Sequence, residues 1–284
     1  MSIDLLQDRI RKTKNPTVLV LEAFPDWIPE EKMPECDMKQ YFIRLLHQLK
    51  STVPSVRFGF GSFAMQGAAG LDALSELMKT AKELGYYVLL DLPEQLSAAA
   101  ASHSARQLSR EDTLFVCDGV VLPFYAGSEV LKEYEQWLGS GKTVFCVVRT
   151  ANRSASELQD LLSGNRLVHI AAADIVSRMG EATVGKFGYS QVGALAAAST
   201  ADSLRTLRAK YKRLFLLLDG ADYPNANAKN CSFAFDQLGR GAAACIGAAI
   251  VCAWKEAEDQ EPEQAALAAA ERMKKNLTRY ITVL

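Results

Sequence analysis

Short apolar runs rich in β-forming residues alternate along this chain with longer segments whose apolar positions recur every three or four residues. The clearest unit is Tyr86–Ala101, YYVLLDLPEQLSAAAA, in which Tyr86 to Leu90 read as a buried parallel strand ending in Asp91. A turn carrying Pro93 follows, and a helix is predicted from Leu96 to Leu108. Upstream, GLDALSELMKTAKELG places Leu71, Leu74, Leu77, Met78 and Ala81 at helical spacing, with Gly85 as its C-cap.

The same alternation runs from end to end. A helix from Ile3 to Lys12 precedes the strand TVLVLEAF, which finishes at Glu22; a helix from Met38 to Ser51 leads into VRFGFGSF, where glycines suggest a strand end. Further strands are predicted over Leu114 to Leu122, KTVFCVVR, VGKFGYSQVGALAA, LFLLLDG and AAACIGAAIVCAW. Helices fall over Ser128 to Leu138, Val168 to Arg178, Ser203 to Tyr211 and, after the acid-rich linker Glu256–Glu263, about 264 to 280. Eight strands separated by helices, without hairpin turns, predict a single-domain (β/α)8 TIM barrel over residues 1–284. A doubly wound open sheet is the alternative, but no GxGxxG turn follows the first strand.

Composition narrows the function classes. With 32 Lys and Arg against 33 Asp and Glu, the chain has no basic field for nucleic acid or an anionic membrane. The six cysteines (Cys36, Cys117, Cys146, Cys231, Cys245, Cys252) form no CxxC pair, and Cys117, Cys146, Cys245 and Cys252 lie in apolar runs as small core residues. His47, His103 and His169 are too far apart to suggest a metal site, and no cofactor motif occurs. The N-terminus lacks an apolar signal core and no apolar run reaches 18 residues. A reduced, cytoplasmic, soluble protein acting on a small molecule is expected.

In a β/α barrel, side chains at the C-terminal strand ends face the mouth, so Asp91 is placed for chemistry; its other reading is a cap on the next helix. Asp219 ends the most apolar strand with Asp222 just beyond it, either as an acid pair or as turn-forming loop residues. In RTANRSAS, Arg149 and Asn152 could form a binding fork, or Ser154 or Ser156 could cap the following helix.

The segments LEAFPDWIP, GLDALSELMKTAKELGYYVLLDLP, VVLPFYAGSEVLKEY and TVFCVVRTANRSASELQDLL resemble the longer bacterial class of orotidine 5'-phosphate decarboxylases. The resemblance covers essentially the whole chain. It implies a β/α barrel, usually a homodimer, that converts orotidine 5'-phosphate to UMP in pyrimidine synthesis without a cofactor. The family's third strand ends in Asp-x-Lys-x-x-Asp; here the first acid is Asp91, the lysine position is Pro93 and the second acid position is Leu96. Neither Pro93 nor Leu96 can transfer a proton. The family's first-strand aspartate falls on Glu22 and its second-strand lysine on Arg57, which stays protonated and either holds a carboxylate or phosphate bidentately or forms an ion pair with Glu22.

By the same resemblance, the phosphate loop after the seventh strand becomes DGADYPNA, with Gly220 kept and Tyr223 near a glutamine position. The eighth strand's Ser-Arg becomes Gly247-Ala248. Charge-assisted bonds contribute about 1.5–3 kcal/mol each, so losing the arginine weakens phosphate binding by roughly one to two powers of ten. Gly247 and Gly220 still permit close backbone approach. The expected site is therefore Glu22, Arg57 and Asp91 as remnant catalytic positions, with Asn152, Asp219, Gly220, Tyr223 and Gly247 toward a nucleotide ligand. The function implied is a catalytically impaired, nucleotide-binding or regulatory paralogue; an active decarboxylase and a barrel enzyme for another small molecule are the alternatives.

Overall fold

The computed structural model describes residues 1–33, 35–257 and 259–283; Glu258 of the acid-rich linker lies outside them. Among the described residues, eight parallel strands close a barrel: β1 (Thr17–Leu21), β2 (Ser55–Gly59), β3 (Tyr87–Asp91), β4 (Gly119–Pro123), β5 (Thr143–Val147), β6 (Val192–Ala197), β7 (Leu216–Asp219) and β8 (Ala242–Ile246). Each pairs in parallel with its sequence neighbours, and β8 returns to β1 with Thr17 beside Ala244. The strands are almost wholly buried, which is why they read as continuous apolar runs.

Period-two alternation divides the core. Leu19, Val56, Phe58, Val88, Leu90, Leu216 and Leu218 pack outward beneath the helices. Val18, Tyr87, Leu89, Phe145, Leu217 and Cys245 fill the barrel interior, joined by Ile3, Leu6 and Ile10 of the N-terminal helix Ser2–Thr13. That helix thus stoppers the end of the barrel opposite the mouth. The same alternation carries Glu22, Arg57, Asp91 and Asp219 onto the inward face at or near the C-terminal ends of their strands.

Several predicted elements end earlier than the apolar pattern suggests. AAACIGAAIVCAW is β8 only as far as Ile246; Ala248–Val251 is a short helix, because Gly247 (φ −115°, ψ −91°) turns the chain. VRFGFGSF does end its strand at the glycines, at Gly59, and continues as the helix Phe60–Ala64. Residues 114–118 and 184–191 precede their strands as loop; buried Asp118 ends the first loop by accepting the Val88 N–H at 2.9 Å and Lys82 Nζ at 2.6 Å. Ser128 to Leu138 forms two short helices, Ser128–Lys132 and Glu135–Gly139. The last helix spans Pro262–Thr278. The cysteines are free; Cys117, Cys146, Cys231 and Cys245 are buried, whereas Cys252 is only half-buried. No described helix is long and apolar enough to cross a membrane.

Candidate functional site

Arg57 is the cation at the centre of the mouth. It projects inward from β2 between β1 and β3, opposite Val20 and Leu89, and is 8% exposed. One terminal nitrogen lies 3.1 Å from Asp91 Oδ2 at the end of β3, and the other lies 3.0 Å from Asp219 Oδ1 at the end of β7. The guanidinium therefore bridges two carboxylates across the barrel. Burial alone pushes its pKa down, but the charges of Asp91 and Asp219 more than reverse this and hold it above the ordinary arginine value. It is a permanent charge.

Glu22 is not its ion-pair partner. Arg57 divides its two terminal nitrogens between Asp91 and Asp219. The Glu22 carboxylate instead lies across Gly59, where an added Cβ would fall 2.0 Å from Oε2. Gly59 leaves that space open. Desolvation raises the Glu22 pKa, and Ser62 and the Arg57 charge only partly oppose it. The Asp91 pKa is raised in the same way, by burial first, against the pull of Arg57.

A stability prediction follows from the sign of these shifts. A carboxyl group whose folded pKa is raised binds its proton more tightly in the fold than in the unfolded chain. Its favourable contribution is present at low pH and disappears as pH rises through the raised value. Glu22→Gln should therefore stabilise the protein at pH 7, by about 1 kcal/mol, because it removes a desolvated charge. The gain should shrink as pH falls toward the ordinary glutamate range, as urea denaturation at both pH values would measure.

Asp91 does not cap the next helix; Ser97 does, accepting the Ala100 N–H at 3.2 Å. Pro93 is exposed and stands 3.5 Å from the Cβ position of Gly61, while Leu96 is 66% exposed. Among the described residues, no lysine pairs with Glu22, Asp91 or Asp219. Lys82, on the helix Gly67–Glu83, is tied to Asp118 at the opposite end of β4.

Asp219 and Asp222 are directed to different partners. Asp222 turns to the β8 end, where its Oδ2 accepts the N–H of Gly247 at 2.9 Å and of Ala249 at 3.2 Å. The chain thus supplies its own anion to these backbone donors. Gly220 has φ +63°, and an added Cβ would meet the Tyr223 ring at 2.8 Å; Tyr223 itself is 49% exposed at the rim. Gly247 allows Trp27 to pack against the backbone, since a Cβ there would fall 2.8 Å from the indole.

Arg149 and Asn152 do not form a joint fork. Arg149 is committed to Asp160, with Nε to Oδ1 at 2.9 Å and Nη2 to Oδ2 at 2.8 Å. Asn152 donates to Ser154 Oγ at 3.1 Å, and the Arg153–Glu157 turn has no side-chain cap, so neither Ser154 nor Ser156 serves as one. The Asp222 anchor and the Arg149–Asp160 fork were missed by sequence reasoning. Polar side chains in long loops carry no periodic signal that would pair them.

No protein-family model matches the chain. Its sequence is 24% identical over 251 residues to a protein named orotidine 5'-phosphate decarboxylase from Caldicellulosiruptor saccharolyticus, covering 86% of this chain and 82% of that protein. A protein of the same name from Caldicellulosiruptor bescii is 23% identical over 301 residues, with 98% of each chain covered. The solved orotidine 5'-monophosphate decarboxylase of Plasmodium berghei superposes with a TM-score of 0.77 over 99% of both chains at 12% identity, a likeness of fold. Over nearly its full length the chain is thus similar in sequence to proteins named orotidine 5'-phosphate decarboxylase, and it shares their solved relatives' barrel fold.

Proposed function

We propose that the protein is a non-decarboxylating member of the orotidine 5'-phosphate decarboxylase family, a nucleotide-binding or regulatory paralogue in the context of UMP synthesis. The observation that carries this reading is Arg57 bridging Asp91 and Asp219, with Pro93 two residues beyond Asp91. Decarboxylation leaves a carbanion that must be protonated, and a general acid needs a titratable group within hydrogen-bond reach, about 2.6–3.2 Å. A guanidinium held by two carboxylates gives up no proton at neutral pH, and proline has none to give. Arg57, Asp91 and Glu22 are on this reading ligand-orienting remnants. Asp219, Gly220, Tyr223, Gly247 and Asn152 would border the ligand from the loops.

Asp222 supports a weak hold on phosphate. Its carboxylate already accepts from the two N–H groups that an anion would use at the end of β8. Base and ribose contacts would then carry most of the affinity. Leu96, exposed where the family motif has its second acid, would present an apolar side chain to a second copy in place of a carboxylate. Sedimentation would establish whether that copy is there.

The test is decarboxylation of orotidine 5'-phosphate by purified protein, followed by loss of orotate absorbance, with UMP binding measured calorimetrically on the same sample. The expected result is no turnover above a heat-killed control together with measurable UMP binding. Pro93→Lys alone should also give no turnover, because Leu96 and Ala248 still lack the second acid and the phosphate fork. Turnover by either protein would overturn the reading.

A further inference from the structure

A second constellation lies away from Arg57, on the rim above β5 and β6. Its members come from three segments: Asp160 in the loop after β5, His169 at the second position of the helix Val168–Met179, and Ser203 at the third position of the helix Ala201–Lys210. Ser203 Oγ is 3.0 Å from His169 Nε2, and Asp160 Oδ1 is 3.1 Å from His169 Nδ1. The tautomer follows from the remaining partner. His169 Nδ1 is also 2.9 Å from the Gln159 carbonyl oxygen, which can only accept, so Nδ1 carries the proton.

With Nδ1 protonated in the neutral ring, Nε2 is the acceptor and the Ser203 hydroxyl donates to it. The arrangement has a base within reach of a hydroxyl and a third group orienting the base, as an activated nucleophile requires. Burial lowers the His169 pKa, against the pull of the Gln159 carbonyl and Asp160, which keeps the ring in the neutral, proton-accepting form. Asp160 is in turn fixed by the two-point grip of Arg149.

The surroundings suit acyl chemistry. A cavity of about 420 Å³ reaches Ser203 and His169, and Leu167 and Ile170 are among its lining residues. Ser203 is half-buried, so its hydroxyl is accessible from that cavity. The first N–H groups of the helix Ala201–Lys210 have no intrahelical acceptor, and Thr200 does not cap them; its hydroxyl donates to the Ala197 carbonyl at 3.2 Å. Donors and nucleophile thus share one helical turn.

We propose that Ser203, His169 and Asp160 form a second site, an acyl-transfer site that takes small carboxylic esters, with Ser203 as nucleophile, His169 as base and Asp160 as positioning residue. The Ser203 proton passes to His169 Nε2 as Oγ bonds to the ester carbonyl carbon. The C–O bond to the leaving group breaks, the alkoxide takes the proton from His169, and Ser203 is left acylated. Water then attacks the acyl carbon and gives a proton to His169, the bond from the acyl carbon to Oγ breaks, and Oγ takes the proton from His169, so that the carboxylic acid leaves and Ser203 is restored.

The experiment uses the full-length protein with p-nitrophenyl acetate, and separately with a fluorophosphonate, which loses fluoride as it bonds to an active serine. A p-nitrophenolate burst of one equivalent, with both adducts mapped to Ser203 by peptide mass spectrometry, is the expected result. Ser203→Ala should abolish burst and adduct with an unchanged melting curve, and His169→Gln should slow acylation on the order of 100-fold or more. Asp160→Asn should slow the burst while leaving its amplitude at one equivalent. A positioning role lowers the rate, whereas loss of structure lowers the amplitude. Absence of an adduct on Ser203 in the native protein, or an equal acylation rate in folded His169→Gln, would overturn the assignment. Should His169→Gln fail to fold, a burst that persists in Ser203→Ala would overturn it, and its loss there would uphold it.

Discussion

Arg57→Met should lower the stability of the protein by about 3–5 kcal/mol at pH 7, the scale set by removing one partner from a buried ion-pair group. The substitution keeps much of the side-chain volume but leaves Asp91 and Asp219 facing each other and Glu22 without their shared cation. Burial already raises the Asp91 pKa with Arg57 present; without Arg57 its protonated form is favoured further. The variant should therefore recover stability as pH is lowered, because the folded state then takes up protons more readily than the unfolded chain. Urea denaturation of both proteins at pH 7 and pH 5 measures the effect. Equal losses at the two pH values would mean that packing around Arg57, not its charge, holds the mouth together.

The second large effect is expected at Asp222. Two unit charges about 4 Å apart interact by roughly 4 kcal/mol at an effective dielectric constant near 20, so a carboxylate seated on backbone donors strongly opposes a phosphate dianion arriving there. Asp222→Ala removes that charge and frees the N–H groups of Gly247 and Ala249. UMP should then bind at least about tenfold more tightly, after allowance for salt screening. Uridine, which has no phosphate, should bind as before. The variant should also lose about 1 kcal/mol of stability with its capping carboxylate. Calorimetric titration with UMP, uridine and inorganic phosphate separates these outcomes. An unchanged UMP affinity would place the phosphate elsewhere, or show that the mouth takes no nucleotide.

The pattern of apolar positions was enough to locate the eight strands and the helices between them, because a strand buried on both faces is a local and continuous signal. Strand ends pointed Asp91 and Asp219 at the mouth, and the family resemblance added Glu22 and Arg57. Element ends were less legible. The run AAACIGAAIVCAW is apolar throughout, and only the turn at Gly247 and the backbone bonds to Asp222 divide it into strand and helix. In VRFGFGSF, by contrast, the glycines marked the strand end, and β2 stops at Gly59, the point at which the Glu22 side chain crosses the backbone.

The choice of partners was made by the tertiary structure. Sequence placed a cation and several acids at one mouth, but barrel closure brings β7 across from β2 and β3, so Arg57 spans Asp91 and Asp219 while Glu22 rests over Gly59. His169 reads as an isolated histidine along the chain, and only the stacking of the β5 and β6 loops sets Ser203 and Asp160 beside it. Periodicity is fixed by the geometry of one strand or helix and is therefore written locally. A hydrogen bond between loops depends on where closure delivers residues that no turn of helix or step of strand relates, and no local pattern encodes that distance.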